Sequence, residues 1–167
     1  MLQSNSFLPD SLRQRAERTR MGTSISLSID SDLDKVSLLS RAVRALCEDL
    51  LGPEDLDAVE LSVVEAINNV IKHGYHGKPG KDVQVAIALH PDQVAIEVID
   101  HALPMPPQVL ENAGDDPFAF DETDLANIPE GGMGLALIRM NMDEVEYCSG
   151  DSENRLRMVK RIADSAP

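Results

Sequence analysis

A group of polar side chains recurs at helical spacing in the middle of the sequence. Its members are Glu65, Asn68, Asn69, Lys72 and His73, at positions i, i+3, i+4, i+7 and i+8. Side chains at this spacing share one face of an α-helix. Asparagine amides compete for backbone hydrogen bonds, and each costs a helix roughly 0.5 kcal/mol relative to alanine. Two adjacent asparagines in mid-helix indicate a function, and an ordinary solvated face is the alternative.

This face could assist transfer to a hydroxyl group. A carboxylate one turn from an amide could polarise a hydroxyl, while the amide oxygen holds a magnesium ion that phosphates and water also coordinate. Mg-ATP is already net negative, so a neutral amide ligand adds no repulsion against the triphosphate. Glu65 and Asn69 are the candidates for these two roles.

Two further motifs follow along the chain. The segment I-E-V-I-D ends a strand in Asp100, which taken alone is typical of the start of a turn. Residues 131–138, G-G-M-G-L-A-L-I, place a glycine turn before an apolar helix, where backbone N–H groups are open to phosphate oxygens. The glycine spacing fits neither the G-x-G-x-x-G nor the P-loop pattern, so those two nucleotide-binding folds are not favoured.

Hydrophobic periodicity predicts the elements that position these residues. In chain order we predict a strand over 23–30, a helix over 32–51 capped by Ser31, a helix over 53–73 ending at Gly74, a β-hairpin ending at Asp100, a lid over 101–131, a short helix and a closing hairpin. Residues 1–22 have no sustained period and are predicted to be a flexible extension. Residues 23–163 are predicted to form one domain.

The second predicted helix resembles a known motif. Residues 65–75, E-A-I-N-N-V-I-K-H-G-Y, are similar to the N-box of GHKL (Bergerat-fold) ATPases, in the form E-A-x-x-N-x-x-x-H-G-Y of anti-sigma factor serine kinases. The segment from Asp100 resembles the family's D-x-G-x-G or D-x-G-x-P box, with Ala102 in place of the glycine. Residues 131–135 resemble its G-x-G-L box, and the resemblance covers about 23–163.

The resemblance implies a fold and a role for each motif. Glu65 would be the general base, Asn69 the magnesium ligand, and Asp100 the acceptor of a hydrogen bond from the adenine amino group. Other positions would line the nucleotide: Asn68, Lys72, His73, Ala102, Pro104, Gly131, Gly132, Met133, Gly134 and Leu135. The implied fold is a two-layer α/β sandwich in which helices cover one face of a mixed, mostly antiparallel sheet.

The implied protein is an anti-sigma factor serine-protein kinase that uses ATP and Mg²⁺. It would phosphorylate a serine of an antagonist (anti-anti-sigma) protein, release the phosphorylated antagonist and then bind a sigma factor. It would also form a homodimer through strand 23–30. Ala102 adds a methyl group and penalises a positive φ, and residues 101–131 contain no lysine or arginine. The alternative is therefore a protein that binds ATP weakly and switches partners without catalysis.

Composition narrows the class of partner. The net charge is -14, from 29 acidic and 15 basic residues, so direct binding to nucleic acid or an anionic membrane is not expected, whereas a basic protein suits. Cys47 and Cys148 belong to no Cys/His cluster and are expected to be reduced, part-buried thiols. We expect a cytoplasmic protein, because no apolar run approaches about 18 residues and no secretory h-region is present.

Two related classes of enzyme are not favoured. The catalytic domain of a histidine kinase would need a preceding dimerisation helix pair that carries a phosphorylatable histidine, and residues 1–22 contain none. A gyrase- or MutL-type ATPase would need additional transducer length.

Overall fold

The computed structural model describes residues 22–106, 109, 133–150 and 152–162. Its elements are β1 (Thr23–Asp30), α1 (Leu33–Cys47), α2 (Pro53–Asn69), β2 (Asp82–Leu89), β3 (Gln93–Asp100), α3 (Met133–Asn141), β4 (Glu144–Ser149) and β5 (Asn154–Arg161). The strands form one sheet in the order β1-β2-β3-β5-β4, and the part of it that the structure describes is antiparallel throughout. Helices on one face of this sheet confirm the predicted two-layer α/β sandwich.

The core lies between the sheet and α2. Along β2, Val83, Val85 and Ile87 are fully buried, whereas the intervening residues remain partly exposed. Val59 and Val63 of α2 lie one turn apart and are also fully buried. Burial of such side chains stabilises the fold by roughly 1.5–3 kcal/mol each. The helix α2 packs against both α1 and α3, so it is the central element that positions the polar stripe.

The start of α1 differs from the prediction. Asp32, not Ser31, is the N-cap, and its side chain accepts a hydrogen bond from the Asp34 amide at 3.0 Å. The Ser31 hydroxyl is used elsewhere, because it donates to the carbonyl oxygen of Lys78 at 2.6 Å and accepts from the Lys81 amide at 3.0 Å. The helix also ends at Cys47 rather than at residue 51.

The end of α2 also differs. The α-helix stops at Asn69 and continues as one turn of π-helix over Val70–Gly74, which Tyr75 closes by donating its backbone N–H to the Val70 carbonyl at 2.8 Å. A π turn is wider than an α turn, so each successive residue rotates by a smaller angle about the axis. That Lys72 and His73 share the face of Glu65 and Asn69 stays a prediction, and both side chains are exposed.

Several predictions concern residues outside those that the structure describes. They include residues 1–21, Gly131, Gly132 and most of the predicted lid, so the division into an extension, a domain over 23–163 and a lid stays a prediction. Cys47 is buried as expected, but Cys148 on the edge strand β4 is exposed, and neither forms a disulfide. None of the described helices is long and apolar enough to cross a membrane.

Candidate functional site

The start of α3 lies against the last turn of α2. A Cβ atom placed on Gly134 would be 2.7 Å from Oε2 of Glu65 and 3.4 Å from Oδ1 of Asn69. The backbone can approach this closely only because position 134 has no side chain. The structure thus brings the glycine turn of the third motif together with the carboxylate and amide of the first.

The amide group of Asn69 is not satisfied by the protein. Its Nδ2 atom is buried and has no hydrogen-bond partner among the described residues. A buried polar atom without a partner costs roughly 1–3 kcal/mol, and such atoms are uncommon in folded proteins. Rotation of the amide can turn either its oxygen or its nitrogen toward the same space. An acceptor on a bound ligand would satisfy Nδ2, and the rotated amide would instead present its oxygen to a cation.

The residues present fit a magnesium ion that arrives with a nucleotide. Within the described ranges, no three His, Cys, Asp or Glu side chains form a group that could hold a metal ion by themselves. Asn69 instead offers one neutral oxygen, next to the Glu65 carboxylate. Magnesium suits this arrangement because it commonly keeps several waters and takes other ligands from phosphates.

Asp100 lies buried at the end of β3. Its Oδ1 atom accepts two hydrogen bonds, from the Ala102 amide at 2.8 Å and from Nδ2 of Asn154 at 2.9 Å. Its Oδ2 atom accepts none from the residues that the structure describes. One carboxylate oxygen is thus held by the protein, and the other can accept from an amino group such as that of adenine.

Asn154 was missed by the sequence analysis. It is buried, pairs with Asp100 across β3 and β5, and donates also to the carbonyl oxygen of Ala102 at 2.9 Å. Only the register between these two strands reveals it, because the two residues lie 54 positions apart in the sequence.

The second motif packs against the end of α2 through Ala102. A Cβ atom placed on Gly74 would be 2.8 Å from the Ala102 Cβ atom, so the two backbones meet closely. The expected φ penalty at Ala102 does not arise, because His76 is the one non-glycine residue of the described chain with a positive φ. The alanine methyl group instead occupies space beside Gly74.

Two tyrosines hold the segment that follows Asp100. The Tyr75 hydroxyl accepts from the His101 amide at 2.9 Å and donates to the Asp82 carbonyl at 2.8 Å, and the Tyr147 hydroxyl accepts from the Met105 amide at 2.8 Å. Burial raises the pKa of both phenols, so they stay protonated at neutral pH. Their roles were not predicted, because these contacts join residues 26 and 42 positions apart.

The other predicted site residues differ in exposure. Asn68 is half-buried, Leu135 is part of the hydrophobic core, and Lys72, His73, Pro104 and Met133 are exposed. The Leu135 side chain thus has a packing role, whereas the four exposed residues can contact a ligand.

Comparison with known proteins agrees with this geometry. Residues 29–160 match the family model described as histidine kinase-like ATPase domain. The chain is 35% identical over 102 residues to the serine-protein kinase RsbW of Bacillus pumilus, covering 56% of this chain and 57% of that relative. It is 30% identical over 119 residues to the anti-sigma F factor of Bacillus cytotoxicus, covering 67% and 73%. It is 29% identical over 144 residues to the anti-sigma F factor of Bacillus cereus, covering 81% and 90%.

These similarities confirm the expected family. The names of the relatives also agree with the predicted enzyme class, a serine-protein kinase. The family match covers most of the chain and includes α2, Asp100 and the start of α3, which are the elements that form the site. The chain belongs to the histidine kinase-like ATPase domain family.

Proposed function

We propose that this chain is an ATP-dependent serine-protein kinase that also acts as an anti-sigma factor. It binds Mg-ATP beside the C-terminal half of α2 and phosphorylates a serine of an antagonist protein. The observation that carries this proposal is the convergence of Glu65 and Asn69 on the backbone of Gly134. The printed names of the relatives, serine-protein kinase and anti-sigma F factor, support it.

Base recognition is assigned to Asp100. Asn154 and the Ala102 amide occupy Oδ1, so Oδ2 is the acceptor that remains. This acceptor can accept a hydrogen bond from the 6-amino group of adenine. It cannot pair with the 6-keto oxygen of guanine, because both atoms are acceptors and neither supplies a hydrogen. The proposed nucleotide is therefore ATP rather than GTP.

Phosphoryl transfer is assigned to Glu65. Its carboxylate accepts the proton of the substrate serine hydroxyl as that oxygen attacks the γ-phosphorus. The new bond joins the serine oxygen to phosphorus, and the bond from phosphorus to the β,γ-bridging oxygen breaks, so that ADP leaves and Glu65 returns the proton to solvent. Mg²⁺, when bound through Asn69, neutralises charge on the phosphates.

Partner exchange follows from the phosphorylation of the antagonist. Release of the phosphorylated antagonist leaves the kinase free to bind a sigma factor in the cytoplasm, and a net charge of -14 suits a basic surface on that partner. Strand β1 forms an edge of the described sheet, so it is the element proposed to pair with a second copy in a homodimer.

Calorimetric titration with ATP, with and without Mg²⁺, is the first test. Phosphotransfer is then followed as phosphoserine on the antagonist protein of one of the Bacillus relatives. We expect Glu65→Ala to keep Mg-ATP binding and to lose transfer by about 10²–10⁴-fold, and Asn69→Ala to lose the dependence of binding on magnesium.

Glu54→Ala is the matched control, because Glu54 is an exposed carboxylate in the first turn of the same helix. This variant should keep both binding and transfer. Transfer by Glu65→Ala at the wild-type rate would exclude the proposed role of Glu65.

A non-catalytic partner-switching protein is the second candidate. Two observations favour it: the Ala102 methyl group beside Gly74, and the absence of lysine or arginine from residues 101–131, where a cation could assist the γ-phosphate. The same assay separates the two functions. Binding of both Mg-ATP and the antagonist without formation of phosphoserine would establish this second candidate.

A further inference from the structure

A short basic segment interrupts the acidic sequence next to the site. Residues 66–81 contain no acidic residue, in a chain with 29 of them. The segment ends in a loop over residues 76–81, H-G-K-P-G-K, named here the basic loop. Its side chains His76, Lys78 and Lys81 are all exposed.

Lys78 and Lys81 of the basic loop differ from Lys35 and Lys160, which form ion pairs. Lys35 pairs with Asp30, and Lys160 pairs with Asp55 at 3.1 Å. Lys78 and Lys81 form no ion pair with any residue that the structure describes. Within the described part of the chain, the two lysines thus carry positive charge that no ion pair neutralises, on a protein whose net charge is -14.

Two carboxylates share a pocket with Lys81. Lys81 lines a pocket of about 340 Å³ together with Asp30 and Asp82. Asp30 accepts a hydrogen bond from Lys35, and Asp82 accepts one from Ser28. The hydrogen bond from Ser28 leaves Asp82 negatively charged, so the charge of Lys81 is partly offset, and Lys78, which does not line this pocket, is the main cation of the basic loop.

The basic loop is also held in place. Ser31 is 3% exposed, and its hydroxyl bridges Lys78 and Lys81 through their backbone atoms, while its own amide donates to the Lys81 carbonyl at 2.7 Å. Left-handed residues His76, Gly77 and Gly80 shape the turn. Because the backbone of the basic loop is fixed before binding, the loop loses little conformational entropy when a partner docks.

We propose that the basic loop docks an acidic surface of the protein whose serine is phosphorylated. The loop follows directly from the π turn, whose Gly74 packs against Ala102, so a protein bound there lies at the border of the nucleotide site. The identity of this partner as the substrate rests on the proposed function. Attraction between the basic loop and acidic side chains of the partner would speed the encounter of the two proteins and fix their relative orientation. It would do so against the general repulsion between two acidic proteins.

Fluorescence anisotropy with labelled poly-L-glutamate tests the surface directly. We expect the full chain to bind this probe at low ionic strength and to release it as salt is added. Lys78→Glu should weaken binding by about threefold or more. Arg41→Glu makes the same change of charge on the exposed face of α1 and should weaken it by less than about twofold.

Three other results would overturn the proposal. Equal losses in Lys78→Glu and Arg41→Glu would show that only net charge matters. Equal affinity for a single-stranded oligonucleotide, lost in the same variant, would show a general polyanion site. A weaker affinity for Mg-ATP in Lys78→Glu would place the loop in the nucleotide site.

Steady-state kinetics with the antagonist connect the surface to catalysis. Lys78→Glu should raise the KM for the antagonist and leave kcat and the KM for ATP unchanged, and an unchanged KM for the antagonist would contradict docking. A wild-type chain that binds poly-L-glutamate through Lys78 but never phosphorylates the antagonist would disprove the kinase and leave the acidic-ligand surface in place.

Discussion

Gly134 lies so close to Glu65 that a methyl group at position 134 would be 2.7 Å from the carboxylate oxygen Oε2. This distance is shorter than a van der Waals contact, yet the atom it meets is the free end of a flexible side chain. A substitution would therefore displace the carboxylate and leave the core in place. The missing side chain at Gly134 thus leaves the space that the Glu65 carboxylate occupies.

We predict that Gly134→Ala loses phosphotransfer by about 10²-fold, because a displacement of about 1 Å in a catalytic group costs that much. The free energy of unfolding should change by less than about 1 kcal/mol, since alanine is the better helix former. Gly52→Ala is the control, because a Cβ atom there would meet nothing within 4 Å. Phosphoserine assays and thermal unfolding measure both effects, and normal transfer by Gly134→Ala would refute the prediction.

The contact between Gly74 and Ala102 predicts a rescue. Gly74→Ala should destabilise the fold by about 1–3 kcal/mol, because two methyl groups would compete for one space. Ala102→Gly removes the second methyl group, so the double variant should recover part of this loss. Denaturant unfolding of the two single variants and the double variant gives the coupling energy. Strictly additive effects would mean that the two residues do not contact each other.

Asn154 should control recognition of the base. We predict that Asn154→Ala weakens ATP binding by about tenfold and reduces the preference for ATP over inosine triphosphate, because Asp100 loses one of the two donors that orient it. Gln84→Ala is the control, since it removes an amide from the opposite face of the sheet. Calorimetry with both nucleotides measures the preference, and an unchanged ratio of affinities would limit Asn154 to a structural role.

The two thiols should react differently. Burial raises the pKa of Cys47 to about 11, whereas Cys148 is exposed. We predict that iodoacetamide alkylates one thiol per folded chain at pH 8 and two in denaturant, because the thiolate is the reactive form. Mass spectrometry identifies the modified residue, and rapid alkylation of Cys47 in the folded chain would contradict its burial.

Cys47 also makes stability depend on pH. Its pKa is higher in the folded chain than the ordinary value of 9.0, so folding favours the protonated thiol. This contribution to stability is complete below about pH 9 and is lost as pH rises toward 11. Cys47→Ala should therefore lose less stability over that range than the wild type, as measured by denaturant unfolding.

The local pattern of apolar and polar residues was sufficient to predict the helices and strands that carry the site residues. Glu65 and Asn69 were correctly placed together because helical periodicity alone puts residues four apart on one face. Hydrophobic periodicity likewise predicted the strand over 23–30, which is β1. The end of α2 was not predictable in this way, since the π turn accompanies contacts of Gly74 and Tyr75 with residues after Asp100.

Contacts between residues that are distant in the sequence could not be predicted from the sequence alone. Asn154 has no motif of its own, and its role depends on the register that sets it opposite Asp100. Ser31 was assigned to a helix cap because that is the common use of serine before a helix, whereas tertiary contact with Lys78 and Lys81 gives its hydroxyl a different partner.

The π turn has a consequence for how the two halves of a nucleotide bind. Asn69, which is proposed to lie beside the phosphates, and Tyr75, which holds the segment after Asp100, are separated only by this turn. Ligand contacts at either end would restrict the same turn, so the entropy of restricting it would be lost only once. We expect adenosine to increase the affinity for magnesium pyrophosphate, measured by titration with and without the nucleoside. The chain would then bind the complete nucleotide more tightly than its separate parts predict, and it would favour ATP over the free phosphates of the cell.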